Sequence, residues 1–339
     1  MSERRRILFI CGTLNQTTQM HQVARELPEH EHAFTPYYCD GALDWAHRAG
    51  FGEFTVAGKK LVRRCLDYLE RERLHVDYRG RQSAYDLVVT CSDVIVQRNA
   101  RATRLVLVQE GILDPEGWEY RLWRRFPLLP RFLAGTAATG LSHAYDRFCV
   151  ASGGYRDHFV SRGVPPERVA VTGIPNFDDC RRYLENDFPH RGYVLVCSSD
   201  ARETLKRDDR AAFLRRCVEI AAGRPLVFKL HPNENEARAT REIHAVAPGA
   251  LVFARGSAEA MIANCDALVT QYSSTVFVGL ALGKECHSYW DLAQLRRLLP
   301  EQNGCAARKI ATVCREVVAT SRAGARLPRF RPLAVAEAR

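Results

Sequence analysis

Apolar residues in this chain come in short unbroken runs rather than in polar–apolar alternation. The first set is ILFIC (7–11), AFTPYY (33–38), DLVVT (86–90), RLVLVQ (104–109), RFCVAS (147–152) and RVAVTG (168–173). After a break comes a second set: YVLVCSS (193–199), PLVFKL (225–230), ALVFA (250–254), DALVTQ (266–271) and ECHSY (285–289). A strand without a polar face is covered on both sides, as in a parallel sheet. The segments between the runs are amphipathic and rich in Arg and Glu. AAFLRRCVEIAAG (211–223) is one, and it suits a crossover helix. This alternation predicts an α/β chain with doubly wound sheets.

Two sets of runs predict two domains, and 339 residues exceed what one ordinary core takes. From Pro175 to Gly192, proline, asparagine and paired acids replace the apolar periodicity. The expected division is a Rossmann-like domain at 1–175, a linker at 176–192, a second Rossmann-like domain at 193–320 and a tail at 321–339. Ligands of such sheets bind beyond the carboxyl ends of the strands. Candidate chemistry is therefore sought where each run stops, in a central cleft faced by both domains.

Composition narrows the classes. Hydrophobic residues make up 46% and charged residues 26%, as in ordinary soluble domains. No apolar run is long enough to span a bilayer, and the run after MSERRR is too short for a signal peptide's hydrophobic region. The 12 cysteines are scattered without a C-x-x-C, and several lie inside strand-like runs, where cysteine acts as a small hydrophobe. That spacing predicts neither a zinc site nor a disulfide framework and points to a reduced, cytoplasmic protein. The net charge of +10 suits an anionic partner such as a nucleotide or the inner face of a membrane. No RNA-binding signature or zinc finger is present, so no nucleic acid partner is expected. No D-x-D occurs, so no metal or other cofactor is expected to clamp a diphosphate.

The strand ends carry the polar candidates. CGTLNQTTQ (11–19) offers Thr13 and Asn15 after a glycine turn, as an N-cap cluster or a substrate loop. It lacks the G-x-G-x-x-G dinucleotide fingerprint. VQEGILDPEG (108–117) places Glu110 at a strand end, where a carboxylate suits a general base, with Asp114 in reserve. SSDARETLKRDD (198–209) offers Ser199, Arg202 and Lys206 to an anion, or is a capped helix start. PLVFKLHPNENEA (225–237) ends on His231, with Lys229 on the same side of the strand and Pro232 fitting the first turn of a helix. TQYSSTVFVGLALGK (270–284) sets Ser273, Ser274 and Thr275 at a helix N-terminus, an anion site or a double-serine cap. The loop RGSAEAM (255–261) puts Arg255 and Gly256 where base contacts are expected, by position alone. Finally, WEYRLWRRFPLLPRFLAG (118–135) interleaves aromatic, leucine and arginine residues. It reads as a membrane-surface segment or as a helix packed on the first domain.

The KLHP strand end, followed about forty residues later by TQYSST, resembles the donor half of GT-B fold transferases. It is most similar to the bacterial CDP-glycerol glycerophosphotransferases and the capsule-type Kdo and sialic acid transferases. The resemblance implies that His231, Ser273 and Ser274 hold donor phosphates and that Glu110 is the catalytic base. It also implies that the first domain binds acceptor, through Thr13 and Asn15, and the second the nucleotide-sugar donor. The implied reaction is inverting, metal-independent transfer of a sugar or polyol phosphate to a surface-polysaccharide or lipid-linked acceptor. VQEG together with RVAVTGIPNFDD is similar, more distantly, to the UDP-N-acetylglucosamine 2-epimerases. Here the histidine usually found before the glutamate is missing, and Tyr272-Ser273-Ser274 replaces their Ser-Gly-Gly. A non-catalytic nucleotide-sugar binding protein is the alternative from outside the enzymes, because binding motifs persist without chemistry.

Overall fold

The computed structural model describes residues 3–37, 39, 59–126, 128–199, 201–203 and 208–320. The expected tail and Lys206 lie outside these. The first half runs β1 (Arg6–Ile10), α1 (Leu14–Arg25), β2 (Glu31–Thr35), α2 (Lys59–Arg71), β3 (Leu87–Thr90), α3 (Arg98–Arg101), β4 (Arg104–Val108), α4 (Trp118–Arg125), β5 (Arg147–Val150), α5 (Gly153–Ser161) and β6 (Val169–Val171). The second runs β7 (Val194–Cys197), α6 (Arg210–Ala221), β8 (Leu226–Lys229), α7 (Glu236–Val246), β9 (Leu251–Phe253), α8 (Ala258–Asn264), β10 (Ala267–Thr270), α9 (Thr275–Ala281), β11 (Glu285–His287) and α10 (Leu292–Leu298). A last helix, α11, spans Ala306–Ala319. Every apolar run named above overlaps one of these strands.

The strands form two sheets, ordered β2-β1-β3-β4-β5-β6 and β11-β10-β7-β8-β9. All neighbouring strands are parallel. The period of two explains why the runs have no polar face. Ile7 and Phe9 enter one core with Val23, Leu69 and Val106, while Leu8 and Ile10 enter another on the opposite face with Leu107 and Phe148. The latter core continues into the second half through Leu195, Leu268 and Phe277, so the two halves share apolar contacts. Ring contacts of Phe277 with Phe177 (6.2 Å) and Tyr155 (6.4 Å) carry that continuity.

The chain crosses between the halves twice. The outward crossing contains the short turns Pro175–Phe177 and Cys180–Leu184. The return leads into α11, which packs on the first sheet: Ile310, Cys314 and Val317 are buried with Val106, Val108 and Cys149. Residues 306–319, expected in the second domain, thus complete the first. Their apolar positions recur at helical spacing, and a sheet that is apolar on both faces needs a cover for each. The two crossings are tied by Asp178, whose carboxylate accepts from Gly304 N (2.6 Å) and Ala306 N (2.5 Å).

Arg315 of α11 donates to Glu29 (2.7 Å), and this bond is the main reason the Glu29 carboxyl falls to about 2. The depressed value means that its contribution is complete above the ordinary carboxyl range and fades as pH drops towards 2. Two outcomes are expected. Ile310→Ala lowers stability by about 2–5 kcal/mol in urea titration, as a truncated core side chain does. Arg315→Ala returns the Glu29 titration towards ordinary carboxyl values, measured by NMR.

Candidate active site

The carboxyl ends of both sheets face a cleft of about 1410 Å³. Its first wall carries Thr13, Asn15 and Glu110, with Arg64 and Arg71 from α2; its second carries Lys229, His231, Arg255 and Gly256. The crossing segment adds Asn176 and Arg182. Among the described residues, no helix is long and apolar enough to cross a membrane.

Glu110 is held by the start of α1. Thr13 caps that helix, its hydroxyl accepting from Gln16 N (3.2 Å) and donating to Glu110 Oε1 (3.0 Å). Gln16 accepts from Gly12 N (2.7 Å) and donates through Nε2 to Glu110 Oε2 (2.6 Å), and Asn15 Nδ2 adds a longer bond of 3.3 Å. Local capping chemistry therefore doubles as the mount for a half-buried carboxylate. Thr13 and Asn15, expected to meet the acceptor, are partners of Glu110. Gln16 was not singled out from the sequence, although a Gln three residues after a capping Thr is a recognisable signal.

Asp114 lies apart from the cleft lining. Its Oδ2 accepts from Thr136 Oγ1 (2.8 Å) and Thr136 N (3.3 Å), tying its loop to the turn at Arg131–Ala138.

His231 lines the cleft, at the end of β8. Its Nδ1 accepts from Asn233 N (3.3 Å), so the neutral ring carries its proton on Nε2. Its backbone N–H is held by Glu234 Oε2 (2.8 Å), which also accepts from Ser198 Oγ. The Glu234 side chain is 2% exposed and lies 3.2 Å from the guanidinium of Arg210, also buried, an ion contact beneath the turn. The helix starts later than the sequence suggests. Asn235, not Pro232, precedes α7, and its side chain accepts from Arg238 N. Pro232 belongs to the turn, where its carbonyl accepts from Arg64 NH2 (2.9 Å) across the cleft, while Arg64 NH1 reaches Asn233 Oδ1 (3.2 Å). Lys229 is 7% exposed, and its Nζ donates to the carbonyls of Leu230 (2.9 Å) and Ala254 (3.3 Å). Burial lowers its pKa from the usual lysine range.

The Ser-Ser strand end is placed differently. β8 and β10 are not neighbours, because β7 lies between them. Ser274 Oγ accepts from Ile112 N (3.0 Å) of the first half, and Ser273 and Thr275 share a hydroxyl contact of 2.9 Å. Ser199 donates to Gln271 Oε1 (2.6 Å), and Arg202 makes a two-pronged pair with Glu242 (2.9 and 2.7 Å). None of these five residues lines the cleft. The basic side chains that do so from outside the sequence candidates are Arg64, Arg71 and Arg182. They sit on helix and crossing segments that no strand-end rule inspects.

No family model and no curated protein sequence matches the chain. Solved structures do. UDP-GlcNAc 2-epimerase from Neisseria meningitidis bound to UDP-GlcNAc aligns with 92% of this chain and 91% of its own, at 14% identity and a TM-score of 0.53. The S. aureus MnaA–UDP structure aligns with 93% of this chain and 88% of its own, at 12% identity and TM-score 0.55. The wall teichoic acid polymerase TagF with CDPG aligns with 92% of this chain and 88% of its own, at 11% identity and TM-score 0.52. The chain has the GT-B fold. Its two Rossmann-like halves and the cleft between them follow the expected architecture.

The buried pair under the His-Pro turn gives a test. Arg210→Met leaves Glu234 without its cation, and a broken buried pair costs about 3–5 kcal/mol. Calorimetry is expected to show a strongly lowered transition, and Arg210→Met with Glu234→Gln to recover part of it.

Proposed function

We propose that the chain is a glycosyltransferase-type enzyme. It moves a sugar or polyol phosphate from a nucleotide-activated donor to a polysaccharide or lipid-linked acceptor, with inversion and without a metal, at the cytoplasmic face of a membrane. One observation carries the reading: Glu110 sits in the cleft on neutral donors, with no cation paired to it among the described residues. A carboxylate so held keeps its aim, as a general base needs. The fold shared with TagF, whose structure carries CDPG, supports a donor of that class.

In this reading an acceptor hydroxyl gives its proton to Glu110. Its oxygen attacks the activated carbon, or the distal phosphorus of a polyol donor. The bond to the leaving phosphate oxygen breaks, and the electron pair departs with the nucleotide. His231 Nε2–H donates to that oxygen, and Arg255, Arg182 and Lys229 set a positive field in the same cleft. Arg255 and Gly256 remain the proposed base contacts. Ser273, Ser274, Thr275, Ser199 and Arg202 would reach the phosphates only after the halves shift.

The second reading is an epimerase acting on a UDP-sugar, favoured by the neighbour that bears that name and holds UDP-GlcNAc. Incubation with UDP-N-acetylhexosamines alone separates the two. Transfer predicts no change without acceptor, and epimerisation predicts an altered sugar. Glu110→Gln is expected to lower turnover by about 10²–10⁴-fold while the thermal shift produced by UDP or CDP is kept. Retained turnover removes Glu110 as the base, and nucleotide binding without turnover across an acceptor panel indicates a binding protein.

A further inference from the structure

Three side chains donate to Glu110, and a backbone group fixes the direction of two of them. Thr13 Oγ1 accepts from Gln16 N (3.2 Å) and turns its own proton to Glu110. The Gln16 amide takes its orientation from Gly12 N, whose proton its oxygen accepts (2.7 Å), so its nitrogen faces the carboxylate. Asn15 has no such backbone donor behind it. It is exposed, and an amide carries a donor at one end and an acceptor at the other. Solvent alone would let either end face Glu110.

The direction comes from Asn176, in the turn Pro175–Phe177 of the outward crossing. Its Nδ2 donates to the Asn15 backbone carbonyl (2.8 Å), an acceptor that cannot be turned over, so the nitrogen must lie on that side. The same nitrogen donates to Asn15 Oδ1 (2.7 Å), which leaves Asn15 Nδ2 to face Glu110 Oε1 (3.3 Å). At its other end Asn176 Oδ1 accepts from Gln22 Nε2 (2.8 Å), itself directed by the Thr18 carbonyl (3.3 Å). Thr18 Oγ1 lies between the two ends, 3.1 Å from Nδ2 and 3.4 Å from Oδ1. Asn15, Thr18 and Gln22 share one face of α1 by their spacing. Three amides therefore run head to tail into the carboxylate, and hydrogen bonds in such chains polarise one another. The turn itself is well anchored. Pro175 and Phe177 are buried, Phe177 packs on Phe277 (6.2 Å), and Asp178 ties the two crossings.

We propose that Asn176 is a positioning residue for Glu110: by engaging the Asn15 oxygen it makes a donor, not an acceptor, face the carboxylate. The proposal rests on the reading of Glu110 as the base. Its consequence is which oxygen takes the proton. Oε1 accepts from Thr13 and Asn15, and Oε2 from Gln16 alone among the described residues. A carboxylate has about four accepting positions, and the less occupied oxygen is Oε2. The proton of an acceptor hydroxyl therefore goes there. Without Asn176 the Asn15 amide is free to turn over, Oε1 loses a donor, and the two oxygens no longer differ.

The test reads turnover and the contact separately. In whichever reaction the chain performs, transfer or epimerisation, Asn176→Ala is expected to lower kcat about tenfold, the scale of one hydrogen bond to a charged group. KM for the nucleotide sugar is expected to stay nearly unchanged. Asn15→Ala is expected to do the same, and the double variant to be no slower than Asn15→Ala alone. A residue that merely stiffened the crossing would slow the reaction again in the Asn15→Ala background. That result, or an unchanged kcat in Asn176→Ala, overturns the proposal. NMR of the side-chain amides needs no turnover. Asn176→Ala is expected to move the Asn15 NH2 resonances towards those of a free amide and to leave those of Gln16 in place; unmoved Asn15 resonances overturn the proposal. If Asn176→Ala does not fold, Asn176→Asp, which keeps the acceptor for Gln22 but removes the donor, is expected to move the same resonances. If Glu110→Gln keeps full turnover, the base reading fails, and the proposal stands or falls on the Asn15 resonances alone.

Discussion

The cleft depends on a close approach at Gly111. A Cβ placed there would lie 2.6 Å from Ser274 Oγ, a distance that real Cβ contacts do not show. The missing side chain lets Ser274 meet Ile112 N, so the end of β4 is pinned against the start of α9. Glu110 is the residue before this contact, and its position relative to the second half follows from it. The same contact engages the serine that the His-Pro and Ser-Ser pattern assigns to phosphate. One hydrogen bond thus positions the candidate base and withholds a candidate ligand.

The two walls are built on different electrostatics. Glu110 is mounted on hydroxyl and amide donors, which orient a carboxylate without neutralising it. The His231 turn is mounted on a buried carboxylate and guanidinium, Glu234 and Arg210, where opposite charge offsets the cost of desolvation. The division suits the chemistry. In the proposed reaction, one wall would aim a proton acceptor and the other would hold a hydrogen-bond donor on a rigid backbone. Glu234 holds that backbone through the His231 N–H itself.

The strands were legible in the sequence because burial on both faces leaves unbroken apolar runs, a signal that does not depend on tertiary detail. The domain of α11 was not legible in that way. An apolar helical face such as Ile310–Val317 says that a sheet is needed but not which one, and only the second crossing decides. At the site, single strand ends such as Glu110 and His231 were readable because the parallel architecture itself fixes where they point. Pairings across the fold were not. Arg202 looked like an anion ligand until Glu242, forty residues on, took both its nitrogens. Arg64 lies on a helix far from any strand end, yet it reaches the Pro232 carbonyl.

The contacts between the halves differ in strength. Near Glu110 the Ser274 bond is a single neutral one, worth about 0.5–1.5 kcal/mol net. At the crossings, Asp178 accepts two N–H groups with a carboxylate, and charge-assisted bonds are roughly twice as strong. Phe177, Tyr155 and Phe277 add buried aromatic contact close by. The Ser274 bond lies beside that cluster, because Phe177 is within van der Waals reach of a Cβ at Gly111 and Phe277 belongs to the helix that Ser274 starts. Arg64 adds a separate bridge from α2 to the His-Pro turn through two bonds. Every donor to the Glu110 carboxylate belongs to the first half, so its mount does not depend on the contacts between the halves.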